Sequence, residues 1–151
     1  MARKEVTVTI TAEGRDQGKV FRLREMPASR AEAWAARLLI CLAKSGIEVP
    51  DNIADMGMAG VAAIAIRGIG GIPWHDAKPL MDEMFQCVQY QPNPAQPGVV
   101  RPLMESTALG ADGNEDIEEV ATRIQLREEL ITLHTGFSIA AKISNSQTEA
   151  A

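Results

Sequence analysis

Two short segments that alternate apolar and polar residues decide how this chain begins. In residues 5–11, Val6, Val8 and Ile10 alternate with Thr7, Thr9 and Thr11. In residues 19–25, Phe21 and Leu23 face one way while Arg22 and Arg24 face the other. A period of two, rich in β-branched residues, is the mark of a half-buried strand. Between the two lies AEGRDQG, with Gly14 and Gly18 able to turn the chain, so the pair reads as an antiparallel hairpin. A two-stranded hairpin is marginal alone, and its apolar face must be covered by something else in the chain.

The following residues supply the cover. Pro27 ends the second strand, Ser29 and Glu32 have the spacing of a capping box, and Gly46 can take a left-handed position after a helix running to about Lys44. Trp34, Leu38, Cys41 and Leu42 form one stripe, and Leu39 and Ile40 widen it around the side. So broad an apolar surface needs either a central place in the core or a second partner.

Residues 56–74, MGMAGVAAIAIRGIGGIPW, are the most apolar stretch. Only 11 uncharged residues separate Asp55 from Arg67. They make about 16 Å of helix against a hydrocarbon core of about 30 Å, too short to span a membrane. The run from Gly68 to Pro73 lacks the third glycine of a dinucleotide fingerprint and the Lys-Ser/Thr ending of a P-loop. What remains is a packing helix with Gly57, Ala59, Gly60, Ala62 and Ala63 permitting close approach, interleaved with Ile64 and Ile66 and ending at a break over residues 68–71. Whether it packs within the chain or against another chain is open at this level.

A third helix is expected from Asp76, which can cap it, with Pro79 in the first turn. Ala77, Leu80, Met81, Met84, Phe85 and Val88 form its apolar stripe. The proline-punctuated QYQPNPAQPG follows, then a short edge strand within residues 99–104, where Pro102 is tolerable. In the polar loop after it, Asp112, Asn114 and Asp116 imitate the start of a calcium loop. Ile117 stands where that loop needs glycine and Arg123 where it needs a bidentate glutamate, so no metal site is expected. Asp116 and Glu119 have capping spacing for a last helix to about Leu133. It carries one stripe of Ile117, Val120, Ala121, Ile124 and Ile131 and another of Leu126, Leu130 and Leu133. The expectation is an α+β fold, the hairpin packed on about four helices, with residues 1–137 as one domain and residues 138–151 as a mobile polar tail.

At 151 residues, with 46% apolar and 23% charged residues, the chain has the composition of a globular domain. Residues 1–37 hold 8 Lys and Arg against 5 Asp and Glu, and residues 38–151 hold 7 against 15. The basic residues are scattered and there are only six aromatics, which is not the footprint of a nucleic-acid binder. Cys41 and Cys87 are far apart and read as small buried hydrophobes of a reducing compartment. The start, MARKEVTVTI, has no apolar core of signal-peptide length. His75 and His134 lie beside expected helix ends, and no nucleophile, base and oxyanion constellation accompanies them. Neither a catalytic residue nor a cofactor site is expected.

Longer strings carry a resemblance. GRDQGKVFRLREMPASRAEAWAARLL, GVAAIAIRGIGGIPWHDAKPLMDEMFQCVQ, VVRPL and DIEEVATRIQLREELITLHTGF, in that order over about residues 5–137, resemble the tail assembly chaperones of long-tailed bacteriophages and prophages. The resemblance implies a non-enzymatic protein of the host cytoplasm that binds the tape measure protein, keeps its long hydrophobic helices soluble and helps recruit tail tube subunits. It also implies departure as the tube polymerises and absence from the finished virion. In many such phages a ribosomal frameshift appends a second domain, which here would join after Ser138. The excess apolar surface of the first and last helices suits a holder of amphipathic helices. Trp34, Leu38, Met81, Met84 and Phe85 are the expected lining of the client groove, the competing reading being that they form the monomer core. Self-association is expected where apolar faces are left over. A structural tail component, tube-associated or a completion protein with the hairpin edges pairing into a ring, is the first alternative, and a small regulatory or nucleic-acid-binding protein the second.

Overall fold

The computed structural model describes residues 3–106 and 113–136. The hairpin forms as the alternation requires. Strand β1 (Glu5–Thr9) pairs antiparallel with β2 (Val20–Arg24), Glu5 opposite Arg24 and Thr9 opposite Val20. Val8, Ile10, Phe21 and Leu23 are buried, while Thr7 and Thr9 remain exposed.

The sheet is larger than a hairpin. Strand β3 (Val88–Gln91) pairs antiparallel with β2, and β4 (Arg101–Pro102) pairs with β3, giving the order β1-β2-β3-β4. β4 is the edge strand expected within residues 99–104, reduced to two residues. β3 corrects the expectation that the helical stripe runs through Val88. The helix stops at Phe85, and Val88 enters the sheet opposite Leu23. Phe21 and Tyr90, directly opposite one another, pack their rings 5.4 Å apart.

Between β2 and β3 the chain makes three helices. Helix α1 (Ala28–Lys44) is capped at its start by Pro27, whose carbonyl accepts from the Arg30 and Ala31 amides. The Ser29–Glu32 capping box is therefore not used: Ser29 already lies inside the helix. Gly46 takes the left-handed conformation expected after it, with φ 84°. Helix α2 (Ile53–Gly68) begins three residues before Met56 and is interrupted at Gly57, whose φ of 61° and ψ of −159° leave the helical region. A 3₁₀ turn (Ile69–Gly71) follows it. Helix α3 (Trp74–Phe85) starts on Pro73 and not on Asp76, which moves Pro79 from the first turn to the second. The last helix, α4 (Val120–Thr135), ends on Gly136 at φ 78°.

Two apolar clusters hold these elements. Val8, Ile10, Phe21 and Leu23 from the sheet meet Met84, Phe85, Ile117, Leu126 and Leu130 in the first. Leu38 and Leu42 of α1, Val61 and Ile64 of α2, and Leu80 of α3 make the second. Trp34 packs against both, and its indole N–H donates to the Leu80 carbonyl at 2.9 Å. Of the two stripes expected on α4, the leucine stripe is buried. Val120 and Ile124, from the other, are 73% and 55% exposed. Among the described residues no helix is long and apolar enough to cross a membrane. The tail from residue 138 onward, and the frameshift junction expected there, lie outside the described residues.

Candidate functional site

Helices α1 and α2 do not close on each other along their whole length. Pro27 fixes where α1 starts, and the glycine interruption at Gly57 redirects the first turn of α2, so an open groove of about 790 Å³ lies between them. One wall is the α1 face of Ala28, Ala31, Ala35, Ala36 and Leu39, and the other is Ile53, Ala54, Gly57, Met58 and Val61 of α2. Alanine and glycine walls let another backbone approach closely, as in helix-in-groove recognition. Further along α2 the opposite situation holds at Gly68. A Cβ there would lie 2.6 Å from Leu42 Cδ2 and 2.8 Å from Ile47 Cδ1, so α2 is locked onto α1 at that end.

His134 of α4 and Met26 also line the groove. The His134 ring has both nitrogens engaged: Nδ1 lies 2.8 Å from the Leu130 carbonyl, and Nε2 lies 3.0 Å from the Met26 amide. A carbonyl can only accept and an amide N–H can only donate, so the proton sits on Nδ1. His134 therefore acts as a strut between α4 and the entrance to α1, a role that its position at a helix end did not disclose. Glu25 and Glu32 stand on the groove's rim, with Arg3 beside them.

A second network positions α4. Asp16, in the hairpin loop, is 1% exposed, and its carboxylate accepts from the Glu118 and Glu119 amides at 2.9 Å and from Lys19 Nζ at 2.9 Å. Burial alone would push this carboxyl up. The Glu118 amide, the Lys19 ammonium, the Thr122 hydroxyl and the Glu119 amide outweigh it and bring the pKa from 3.8 down to about 2. Asp16 thus supplies from the far end of the sequence the anion that the start of α4 needs. The local Asp116–Glu119 box expected there is not formed, since no side chain of α4's own cap bonds its amides. Asp116 is engaged elsewhere, accepting both Arg101 guanidinium nitrogens at 2.8 and 2.7 Å and the Met104 amide.

None of the five residues expected to line a client groove, Trp34, Leu38, Met81, Met84 and Phe85, is in the lining of this one. Leu38 is buried in the helical cluster, and Met84 and Phe85 in the sheet cluster. Trp34 and Met81 are half-buried. Phe85 carries Arg123 and Arg127 over its ring, at 4.2 and 4.6 Å from the centroid. The set is not brought together on one open surface: contact with Leu38, Met84 or Phe85 requires the helices to part. The open surface is the neighbouring alanine face of α1. Its signal in the sequence is Ala28, Ala31, Ala35 and Leu39 at spacings of three and four, overshadowed by the larger side chains of the Trp34–Leu38–Leu42 stripe.

No family model matches this chain, and neither a curated protein nor a solved structure matches it. Among the described residues the groove's lining holds no cysteine, serine or lysine. Cys87, away from it, has its thiol pushed up by burial against the smaller opposing pull of Arg30 and Arg3, the reverse of an activated thiolate. Among the described residues no three His, Cys, Asp or Glu side chains gather as they would around a metal ion.

Proposed function

We propose that this chain is a tail assembly chaperone of a long-tailed bacteriophage or prophage. In this reading it is a non-enzymatic protein of the host cytoplasm that binds the tape measure protein and keeps it soluble. It also helps recruit tail tube subunits and leaves before the virion is complete. The observation that carries the reading is the groove between α1 and α2, open, apolar and walled by small side chains. An amphipathic client helix has its apolar face to bury, and such a groove buries it without demanding a particular shape. The order of sequence strings over residues 5–137 supports the same reading.

The client surface is then centred on Ala31, Ala35, Leu39 and Met58. Leu38, Met81, Met84 and Phe85 act as the support behind it and join the contact if the helices separate around a bound client.

The test is co-expression with the tape measure protein encoded beside this gene, followed by affinity capture and size-exclusion light scattering. The expected result is a soluble complex with a client that aggregates when produced alone. A client that is soluble by itself and recovered without this chain would refute the holding role. Finding the chain in purified virions would favour the structural alternative, in which the outer edge of β1 pairs with a neighbour.

A further inference from the structure

A smaller pocket of about 240 Å³ adjoins the groove, and Arg3, Glu25 and Met26 line both. Its chemistry is different. Where the groove offers alanine, this pocket gathers three guanidiniums, those of Arg3, Arg24 and Arg30. The floor is the solvent side of the sheet. Phe21 and Leu23 of β2 turn into the core, so Arg22 and Arg24 project from the other face, where Gln89 of β3 stands opposite Arg22. Arg30, in the first turn of α1, and Glu83, in the last turn of α3, form the walls.

The donors here outnumber their partners. Glu83 accepts from Arg30, at 3.3 Å, and also from Arg37. Arg24 Nε lies 3.1 Å from Glu5 Oε1, but the carboxylate does not accept its hydrogen, and this solvent-shielded nitrogen has no hydrogen-bond partner. Arg3 gives one N–H to the Glu25 carbonyl at 3.2 Å and is in no ion pair among the described residues. A guanidinium has five N–H donors, so most of those on Arg3 are open. Across the lining and its ion-pair partners, the positive charges are Arg3, Arg24, Arg30 and Arg37, and the negative ones Glu5, Glu25 and Glu83. One monoanion completes the balance. A carboxylate carries that charge and takes the guanidinium fork in plane. A phosphate monoester, at about −1.5 to −2, exceeds it.

We propose that this pocket binds a carboxylate, and that the carboxylate is an acidic side chain of the amphipathic client helix lying in the adjoining groove. The second half rests on the chaperone reading; the first does not. Pro27 and Arg30 line the pocket while Ala28 and Ala31 line the groove, so the two sites meet on one turn of α1. A client with its apolar face against the alanines brings a residue about one helical turn further on beside the arginines. Apolar contact holds such a helix, and the arginines fix its register along the groove by selecting a segment with an aspartate or glutamate next to the apolar face.

The full chain, titrated with the α-amide of N-acetylglutamate and followed by NMR, tests the pocket without any client. This probe carries a single side-chain carboxylate. Saturable shifts are expected in the N–H resonances of Arg24, Cys87 and Gln89, with a dissociation constant of about 1 to 30 mM. The uncharged glutamine analogue should bind at least about tenfold more weakly, and inorganic phosphate should bind more weakly than the carboxylate. Arg3→Gln and Arg30→Gln should each weaken the carboxylate at least about threefold. Arg22→Gln, on the same sheet face but outside the pocket, should not. Circular dichroism checks that each variant is folded. The pocket assignment is overturned by any of four results: no saturable shift in the parent chain, equal binding of the glutamine analogue, tighter binding of phosphate, or indifference to both Arg3→Gln and Arg30→Gln. Capture of the tape measure protein separates the second half from the first. A complex weakened at least about threefold by the same two variants, and unchanged in Arg22→Gln, supports the client assignment. A complex indifferent to them refutes that assignment alone. No complex with the parent chain refutes the chaperone reading and the client assignment with it, while the titration still decides the pocket.

Discussion

Replacing Asp16 by asparagine separates the charge of the buried carboxylate from its shape. The carboxylate serves two backbone amides, an ammonium and a hydroxyl, and is almost wholly enclosed. Asparagine retains one acceptor oxygen and turns an NH2 group toward donors, so both the charge and an acceptor are lost. A carboxyl held at about 2 in place of 3.8 contributes about 2 kcal/mol to stability at neutral pH, at about 1.4 kcal/mol for each pH unit. The sign follows from the direction. A depressed pKa gives a contribution that is complete above the unfolded value near 3.8 and fades as the pH falls through about 2. Asp16→Asn should therefore lower the unfolding free energy by about 2 to 3 kcal/mol at neutral pH, and the gap from the parent should close between about pH 4 and pH 2. Asp116 is also held below its ordinary value, burial opposing and Arg101 and the Met104 amide prevailing, but both proteins carry it, so it cancels in the difference. Urea titrations at neutral pH and in steps down to about pH 2.5 provide the measurement. A variant within about 0.5 kcal/mol of the parent at neutral pH, or a difference that stays constant through the acid range, would refute the reasoning.

Other outcomes follow from the packing. Phe85→Ala removes a ring that is 4% exposed and lies under Arg123 and Arg127, and should lower stability by about 3 to 5 kcal/mol in urea titration. Gly68→Ala should lower it by about 1 to 3 kcal/mol, because the added carbon meets Leu42 and Ile47. Trp34→Phe loses the donor to the Leu80 carbonyl, with an expected loss of about 1 kcal/mol by the same assay. That variant should also leave mainly the emission of a solvated indole, since Trp74 is 65% exposed.

The hairpin was legible in the sequence because strict alternation over five residues, with glycines in the loop, admits few other structures. The ends of α1 and α4 were legible for a similar reason: Gly46 and Gly136 occupy left-handed positions that other residues rarely take. Strand β3 was hidden because Val88 continues the three-and-four spacing of Leu80, Met84 and Phe85, and VQYQ is too short for its alternation to compete. The helix starts were misplaced because capping spacings at Ser29–Glu32 and Asp76 were present, but Pro27 and Pro73 begin the helices earlier. The cap of α4 could not be found locally at all, since its carboxylate comes from Asp16. For the groove, the residues with strong apolar signal turned inward and the alanines formed the open wall. Periodicity identifies a stripe, and only the packing decides which of two stripes on one helix meets the core.

The first apolar cluster joins the hairpin to α4, and this has a consequence during synthesis. Phe21 and Leu23 find their partners Leu126 and Leu130 only after about a hundred further residues have been added. At about 5 to 20 residues per second, the apolar face of the hairpin waits roughly 5 to 20 seconds for the helix that covers it. A chain proposed to shield another protein's apolar helices thus passes through a nascent state in which it has the same need itself.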